Sequence, residues 1–231
     1  MKRLIALILC FSFLSIPVFA AREEKLVALT LDDGPSGRFT RRLLDGLQQR
    51  GVKATFFLCG YRMAQYPALT QRIFQEGHEI GLHGYSHDSM ENMCMDQLHH
   101  EIRKTMALIP DGCPVTFLRT PGGLCGTCTL AAAEEYGLAI LSWSVDPKDW
   151  AIHDPKAITS TVVNSVKDGD VILLHDMSDS SVDAALAILD ALQARGFRFV
   201  TASELAKARN RTPIPGKKYC CFPPADPQTP K

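Results

Sequence analysis

From position 26 onward, the chain alternates between short apolar runs and longer segments in which apolar residues recur every three or four positions. The short runs are typical of buried strands, and the longer segments are typical of amphipathic helices. Strands are predicted at 26–31, 54–58, 79–82, 115–118, 138–143, 171–174 and 197–200. Helices are predicted between and after them, at 39–49, 67–76, 95–109, 130–136, 155–167, 182–195 and 202–208.

The residues at the element boundaries support this alternation. Asp154 followed by Pro155 is a typical helix start, and Thr201 with Glu204 has the spacing of a capping box. Repeated strand–helix units predict a parallel sheet in an α/β fold. Because seven units come close to the eight of a closed barrel, we predict a distorted (β/α) barrel with seven or eight parallel strands. An open doubly wound sheet is the alternative.

The two ends of the chain differ from this central domain at 21–211. Lys2 and Arg3 precede an apolar run at 4–19, and Ala20 offers a cleavage position, so residues 1–20 are predicted to be a signal peptide. A membrane anchor is the alternative, but the run is shorter than the roughly 20 residues of a span. We therefore expect a secreted or periplasmic protein without membrane insertion after cleavage. Residues 212–231 are rich in proline, lack periodicity and predict an extended tail.

Charge and cysteine content narrow the function classes. The chain has 25 basic and 25 acidic residues and no basic patch, which argues against a nucleic-acid partner. Export would permit disulfides, and the part after the leader holds seven cysteines, so we expect at least one disulfide. Cys125 and Cys128 resemble half of a zinc clip, although a local disulfide or a plain loop is the better interpretation. The oligomeric state stays open.

The candidate chemistry lies at or just after the carboxyl ends of the predicted strands. Barrel and open α/β enzymes build their active sites at this edge. The residues in question, in strand order, are Asp32 and Asp33, His83 and His87, Arg119, Asp146 and Asp149, and His175.

Two histidines and one aspartate form a candidate metal site. His83 and His87 are four residues apart, and on one helical turn they would share a face. A nearby aspartate would complete a set of three protein ligands, which leaves a position open for water, as a catalytic zinc requires. His78 precedes its strand and is interpreted as structural.

A second group of residues suits proton transfer. His175 ends a very apolar strand, and histidine can donate a proton near neutral pH. Asp149 could orient this imidazole, with Asp146 as a second candidate, and Trp150 could form an aromatic wall that keeps water out. Arg119 would place a fixed positive charge beside the catalytic carboxylate.

Five segments contain these candidate residues. In chain order they are Thr30-Leu31-Asp32-Asp33-Gly34-Pro35, His83-Gly84-Tyr85-Ser86-His87, Arg119-Thr120-Pro121-Gly122-Gly123, Asp146-Pro147-Lys148-Asp149-Trp150 and Leu173-Leu174-His175. They extend over nearly the whole central domain. In this order they resemble the five motifs of the polysaccharide deacetylase family, the NodB-homology domain of carbohydrate esterase family 4.

This resemblance implies a distorted barrel and the metal-dependent removal of N-acetyl groups from N-acetylglucosamine-type residues of a polysaccharide. It implies a divalent metal, zinc or alternatively cobalt, held by Asp33, His83 and His87. By the same resemblance, Asp32 would be the general base and His175 the general acid. The remaining roles would be positioning of Asp32 by Arg119, tuning of His175 by Asp149, and substrate binding by Pro121, Gly122, Trp150 and Leu173.

One departure from the family pattern concerns Gly122, where the family usually has an aromatic residue. Glycine keeps the backbone amide that contributes to the oxyanion hole but loses the ring. Peptidoglycan or a chitin-like polymer is the expected substrate. The alternatives are a secreted amidase acting on a non-sugar acyl amide and a catalytically silent protein that binds cell walls.

Overall fold

The structure is a computed structural model that describes residues 24–225, so the predicted signal peptide at 1–20 and residues 226–231 lie outside it. Eight strands and eight helices follow one another in this part of the chain. The strands are β1 (Lys25–Asp32), β2 (Thr55–Leu58), β3 (Glu79–Leu82), β4 (Phe117–Leu118), β5 (Ala139–Leu141), β6 (Val171–His175), β7 (Phe197–Phe199) and β8 (Lys218–Tyr219). The helices are α1 (Arg38–Gln49), α2 (Gly60–Gln65), α3 (Pro67–Gln75), α4 (Met95–Met106), α5 (Thr127–Glu135), α6 (Pro155–Ser165), α7 (Asp179–Ala194) and α8 (Ala202–Ala208).

All strand pairs run parallel, in the order β6-β1-β2-β3-β4-β5-β8, and β7 pairs with the first half of β1. The sheet curves back on itself, because an isolated parallel bridge joins Val145, just after β5, to Ile172 of β6. The predicted α/β fold with a distorted barrel is therefore confirmed. All the strands that carry candidate residues end at the same rim.

Hydrophobic side chains fill both sides of the sheet, as the alternation along β1 shows. Leu26 and Ala28 point into the barrel, where they join a cluster with Phe57 and Phe117. Val27 and Leu29 point outward and pack with the helices in a larger cluster. Side chains alternate between the two faces of a strand, so Thr30 and Asp32 continue the inward row. Along β1, polar side chains thus face into the barrel only near its carboxyl-terminal rim.

Several predicted boundaries differ from the structure for local reasons. Helix α2 was not predicted, because it is only six residues long and Tyr66, the residue before Pro67, leaves the helical path. Helix α7 starts three residues earlier than predicted, since the Ser178 hydroxyl caps it by accepting from the Ser181 amide. Strand β4 is reduced to two residues. The predicted cap at Asp154 and the capping box at Thr201 are both present.

The segment after Arg211 was predicted to be an extended tail without regular elements, but it adds a strand to the sheet. Within it, β8 pairs with β5, and Phe222 is buried in the inner cluster. An antiparallel bridge joins Cys221 to Asp170, close to the start of β6. The tail therefore covers the gap between the two ends of the curved sheet.

The cysteines do not follow the prediction of a disulfide. The seven cysteines between Cys59 and Cys221 all carry free thiols in the structure, including Cys125 and Cys128. The sulfur atoms of the neighbours Cys220 and Cys221 lie 3.7 Å apart, which exceeds the length of a disulfide bond.

Between residues 24 and 225, the structure contains no helix with the length and apolar character needed to cross a bilayer.

Candidate active site

Asp32, at the end of β1, is held by a fully buried arginine. The Arg119 guanidinium donates to Asp32 Oδ1 at 2.7 Å and to the Thr30 hydroxyl at 2.7 Å. It also donates to the backbone carbonyls of Leu141 and Ser142, both at 2.8 Å. Burial lowers the pKa of Arg119, although Asp32 opposes that effect. The predicted placement of a fixed positive charge beside Asp32 is present, and the four hydrogen bonds allow the guanidinium little freedom.

Asp33 turns away from Asp32 toward the two histidines. Its φ of 71° lies in the left-handed region, which is uncommon for a residue other than glycine. Asp33 Oδ1 lies 3.2 Å from His83 Nε2 and 2.9 Å from His87 Nε2. Burial would raise the pKa of Asp33, but its close pairing with both histidines holds the pKa well below its ordinary value.

The segment from His83 to His87 is a loop and not the helical turn that the spacing of four residues predicted. Positive φ angles at Gly84 and His87 fold the loop back, so that the two imidazole rings lie 5.2 Å apart. The Nδ1 atom of His83 is 2.8 Å from the carbonyl oxygen of Arg119, to which it donates in the tautomer that leaves Nε2 unprotonated. The prediction of one shared site holds, although the local geometry behind it was wrong.

These three side chains fit a divalent metal. One ligand atom from each of Asp33, His83 and His87 lies within 4.8 Å of the others. Asp33 Oδ1 is buried and has no hydrogen bond of acceptable geometry, despite its short distances to the two imidazoles. An orphaned carboxylate oxygen between two imidazole nitrogens is explained when all three converge on a cation. Two nitrogens and one oxygen suit zinc or cobalt better than magnesium or calcium.

His175, at the end of β6, stands on the other side of these residues and is held by Asp149. Its Nδ1 lies 2.8 Å from Asp149 Oδ1, and its backbone amide donates to Asp149 Oδ2 at 2.8 Å. Burial would lower the pKa of His175, but Asp149, together with the more distant Asp32 and Asp33, raises it to about 9. Asp146, the second candidate for this role, instead accepts from the Lys148 amide.

A cleft of about 440 Å³ connects both groups of residues. Gly122, Trp150 and Leu173 line it, as predicted, whereas Pro121 is buried and does not line it. Trp150 is 62% exposed, so it stands at the rim and does not seal the cleft from water. Trp143, which the sequence interpretation did not single out, also lines the cleft.

Asp176 is a further site residue that the sequence interpretation missed. It is fully buried, and burial raises its pKa to about 6. Its carboxylate accepts from the Thr40 hydroxyl, and its backbone carbonyl accepts from the Ser36 hydroxyl. A Cβ atom on Gly34 would lie 2.6 Å from Asp176 Oδ1, so this position next to Asp33 requires glycine. Asp176 thus holds the loop after β1, and its position directly after His175 was the available signal.

Glu101, on α4, is the second residue that was missed. It is buried and accepts from the backbone amides of Tyr85 and Ser86 in the loop from His83 to His87, the histidine loop. The signal in the sequence was a carboxylate on an apolar stripe, since Leu98, Ile102 and Thr105 are the other buried residues of this helix. His78, interpreted as structural, is buried away from the cleft and accepts from the Ala54 amide.

Comparison with known proteins finds relatives of this chain. The family model described as polysaccharide deacetylase matches residues 20–141, which include the first three of the five motifs. A peptidoglycan-N-acetylglucosamine deacetylase of Bacillus cereus is 38% identical over 195 residues, with 81% of this chain and 91% of that protein covered. The peptidoglycan-N-acetylglucosamine deacetylase PgdA of Listeria monocytogenes is 36% identical over 80% of this chain. The match spans only 40% of the Listeria protein.

A solved structure extends the likeness to the whole barrel. The family 4 acetyl xylan esterase from Clostridium thermocellum, determined in complex with a cobalt ion, superimposes with a TM-score of 0.80 at 34% identity. That superposition covers 86% of this chain and all of the esterase chain. With the matching family model and the five motifs, these likenesses lead to one conclusion: this chain belongs to the polysaccharide deacetylase family, the NodB-homology domain of carbohydrate esterase family 4.

Proposed function

We propose that this chain is a metal-dependent hydrolase that removes N-acetyl groups from N-acetylglucosamine-type residues of a polysaccharide. The observation that carries the proposal is the convergence of three units on one cleft. These units are the ligand set Asp33, His83 and His87, the Arg119–Asp32 pair, and the Asp149–His175 pair. A silent wall-binding protein has no need for all three.

The chemistry follows from what each residue can do. A divalent metal held by the ligand set, which we propose is zinc with cobalt able to replace it, would supply a Lewis acid that polarises the acetamide carbonyl and acidifies water. Asp32 takes the proton of the attacking water, since Arg119 engages its Oδ1 and leaves Oδ2 for this task. The backbone amide of Gly122, on the wall of the cleft, stabilises the oxyanion.

His175 completes the reaction by giving its Nε2 proton to the sugar nitrogen as the carbon–nitrogen bond breaks. The products are acetate and a free amine on the sugar. The raised pKa of His175 supports an amide substrate, because an amine leaving group needs a proton donor that is charged at neutral pH. An ester has a better leaving group and depends less on such a donor.

We propose peptidoglycan as the polymer and the cell envelope as the place of action. The Bacillus cereus relative, nearly all of which aligns with this chain, carries peptidoglycan in its name. Gly122 leaves the rim of the cleft open for branched chains, since no atom lies within 4 Å of where its Cβ would be. The signal-peptide pattern at 1–20 supports export.

Acetate release from four substrates tests this proposal. Peptidoglycan, chitooligosaccharides, acetylxylan and a non-sugar N-acetyl amide are compared with zinc-loaded enzyme and with enzyme treated with a chelator. We expect release from the N-acetylated sugars, loss with the chelator, and recovery with zinc or cobalt. Full activity of metal-free enzyme would contradict metal dependence, and release only from the non-sugar amide would favour the amidase.

Three variants test the roles of the neighbouring aspartates and of the ligand set. We expect Asp32→Asn to keep the metal and lose most of kcat, because it removes the base and not a ligand. His83→Ala should lose both metal and activity. If Asp32→Asn loses the metal while Asp33→Asn keeps it, the two aspartates are assigned the wrong way round.

A further inference from the structure

The loop that carries His87 rests on a buried carboxylate from outside the cleft. Glu101 lies on the inner face of α4 and is only 6% exposed. Among residues 24–225, no lysine, arginine or histidine lies within ion-pair distance of its carboxylate. A buried carboxylate without a cation partner is costly unless hydrogen bonds satisfy it. The groups that donate hydrogen bonds to the Glu101 carboxylate therefore indicate its role.

Both donors come from the histidine loop. Glu101 Oε2 accepts from the backbone amide of Tyr85 at 2.6 Å and from that of Ser86 at 2.9 Å. Two successive amides that point at one anion form a nest, and the left-handed φ of 72° at Gly84 permits that turn. A Cβ atom on Gly84 would lie 3.1 Å from Glu101 Oε2, so carboxylate and loop are in close contact.

The opposite side of the loop is held as well. The carbonyl oxygen of Gly84 accepts from the Gly60 amide at 2.9 Å, and that of Tyr85 accepts from the Tyr61 amide at 3.0 Å. These amides belong to the first turn of α2, whose own carbonyls cannot pair with them. The histidine loop is thus held by Glu101 on one side and by the first turn of α2 on the other.

His83 and His87, the two histidines of the ligand set, depend to different degrees on these contacts that hold the loop. His83 is fixed by the strand ladder through the Leu58 carbonyl, and its Nδ1 pairs with the Arg119 carbonyl. His87 has a side chain that is 42% exposed, and its backbone lies in the left-handed region at φ 70°. Its contact at 2.9 Å with Asp33 Oδ1 therefore rests on the conformation of the loop.

We propose that Glu101 is a positioning residue, which holds the turn from Gly84 to Ser86 so that His87 meets Asp33 and thereby sets the affinity of the site for its divalent metal. This inference rests on the metal-binding part of the proposed function. Partners one step removed from the ligands commonly contribute a factor of 10–100 to metal affinity. Glu101 differs from such partners because it acts on the backbone of the ligand loop and not on a ligand ring.

The test measures zinc affinity by competition with a chromophoric chelator, together with the visible spectrum of the cobalt-loaded protein. Glu101→Gln keeps an acceptor oxygen at the same reach, so we expect zinc affinity within a few-fold of the parent. Glu101→Asp keeps the charge but is one methylene shorter, and Glu101→Leu has no acceptor. We expect both to weaken zinc binding about ten-fold or more and to change the cobalt spectrum.

Asp96→Asn is the matched control, because it removes a negative charge from an exposed position of the same helix and should leave zinc affinity unchanged. Circular dichroism of the metal-free proteins checks that each variant is folded. If Glu101→Leu does not fold, Glu101→Asp decides the question.

Zinc affinity of Glu101→Asp equal to that of the parent would overturn the proposal. Acetate assays on the same proteins separate the two hypotheses. Zinc binding without acetate release by the parent would contradict the proposed function alone. Acetate release by the parent, with parental zinc affinity in the Glu101 variants, would contradict the role of Glu101 alone.

Discussion

At the scale of single residues, the two neighbouring aspartates show how one dipeptide serves two tasks. Asp32 continues the strand and meets Arg119, whereas Asp33 adopts φ 71° and meets the histidines. Non-glycine residues in the left-handed region cost free energy, and such strain is concentrated at functional sites. Asp176 behind Gly34 holds the loop that keeps this conformation.

The pair of His175 and Asp149 leads to a prediction on pH dependence. His175 must be protonated to donate, so activity should fall as the pH rises through the pKa of His175, which Asp149 raises. Asp149→Asn removes that negative charge and lowers the pKa, so we expect the alkaline limb of kcat/KM to move to lower pH. We also expect kcat to fall at least about ten-fold, since proton transfer contributes 10²–10⁴-fold. Rate profiles between pH 5 and 10 measure both effects.

Asp146→Asn is the control for this prediction. Asp146 lies in the same cleft, but its Oδ1 accepts from the Lys148 amide, so the alkaline limb should stay in place. An alkaline limb that is unchanged in Asp149→Asn would show that another group limits activity at high pH.

At the scale of elements, the turn after β4 forms part of the rim of the cleft. Residues Pro121–Gly123 form a 3-10 turn, in which Gly122 has φ 68° and ψ 1°. Space for a side chain is present, because nothing lies within 4 Å of a Cβ at this position. The backbone, however, is in a region where any other residue costs about 1–2 kcal/mol.

A substitution at Gly122 separates the effect of the open space from the cost of the left-handed backbone. We expect Gly122→Tyr to lower KM for short chitooligosaccharides, because an added ring can stack on a sugar with about 1 kcal/mol. kcat should stay within a few-fold, as for added uniform binding. Gly122→Ala is the matched control, since it has the same backbone cost without the ring. If kcat falls in both variants, the enzyme requires glycine at position 122 for its backbone conformation and not for the open rim of the cleft.

At the scale of the whole molecule, the C-terminal segment helps to close the barrel. Strand β8 covers β5, and Phe222 packs in the barrel with ring centroids 5.5 Å from Tyr219 and 6.4 Å from Phe117. The Gly169 amide donates to the Leu26 carbonyl, and the Gly169 carbonyl accepts from the Phe222 amide. The tail thus joins the start of β1 to the far end of the sheet.

Removal of the buried ring should therefore weaken the whole fold. We expect Phe222→Ala to lower the free energy of unfolding by about 3–5 kcal/mol, as for other buried aromatic residues. Ile214→Ala, in an exposed part of the same tail, should change it by less than about 0.5 kcal/mol. Urea unfolding followed by circular dichroism measures both values. A loss for Phe222→Ala as small as that expected for Ile214→Ala would show that the tail does not contribute to the core.

The sequence by itself determined the order of strands and helices from β1 to α8, apart from the short helix α2, because alternation and helical periodicity are local properties of the chain. It also placed the chemistry at one rim, since parallel strands that carry polar residues at their carboxyl ends bring those residues together. The five motifs identified the family and named Asp32, Asp33, His83, His87, Arg119, Asp149 and His175, all of which the structure brings to one site.

The tertiary structure alone decided which groups support that site. Glu101 meets the histidine loop across 15 and 16 positions of sequence, and Asp176 meets Thr40 across 136. It also decided that Asp149 and not Asp146 orients His175, and that the tail supplies β8. Periodicity shows that a position is buried but not which distant backbone group it faces there. For this reason the partners of Glu101 and Asp176, both buried acids, could be recognised only in the folded chain.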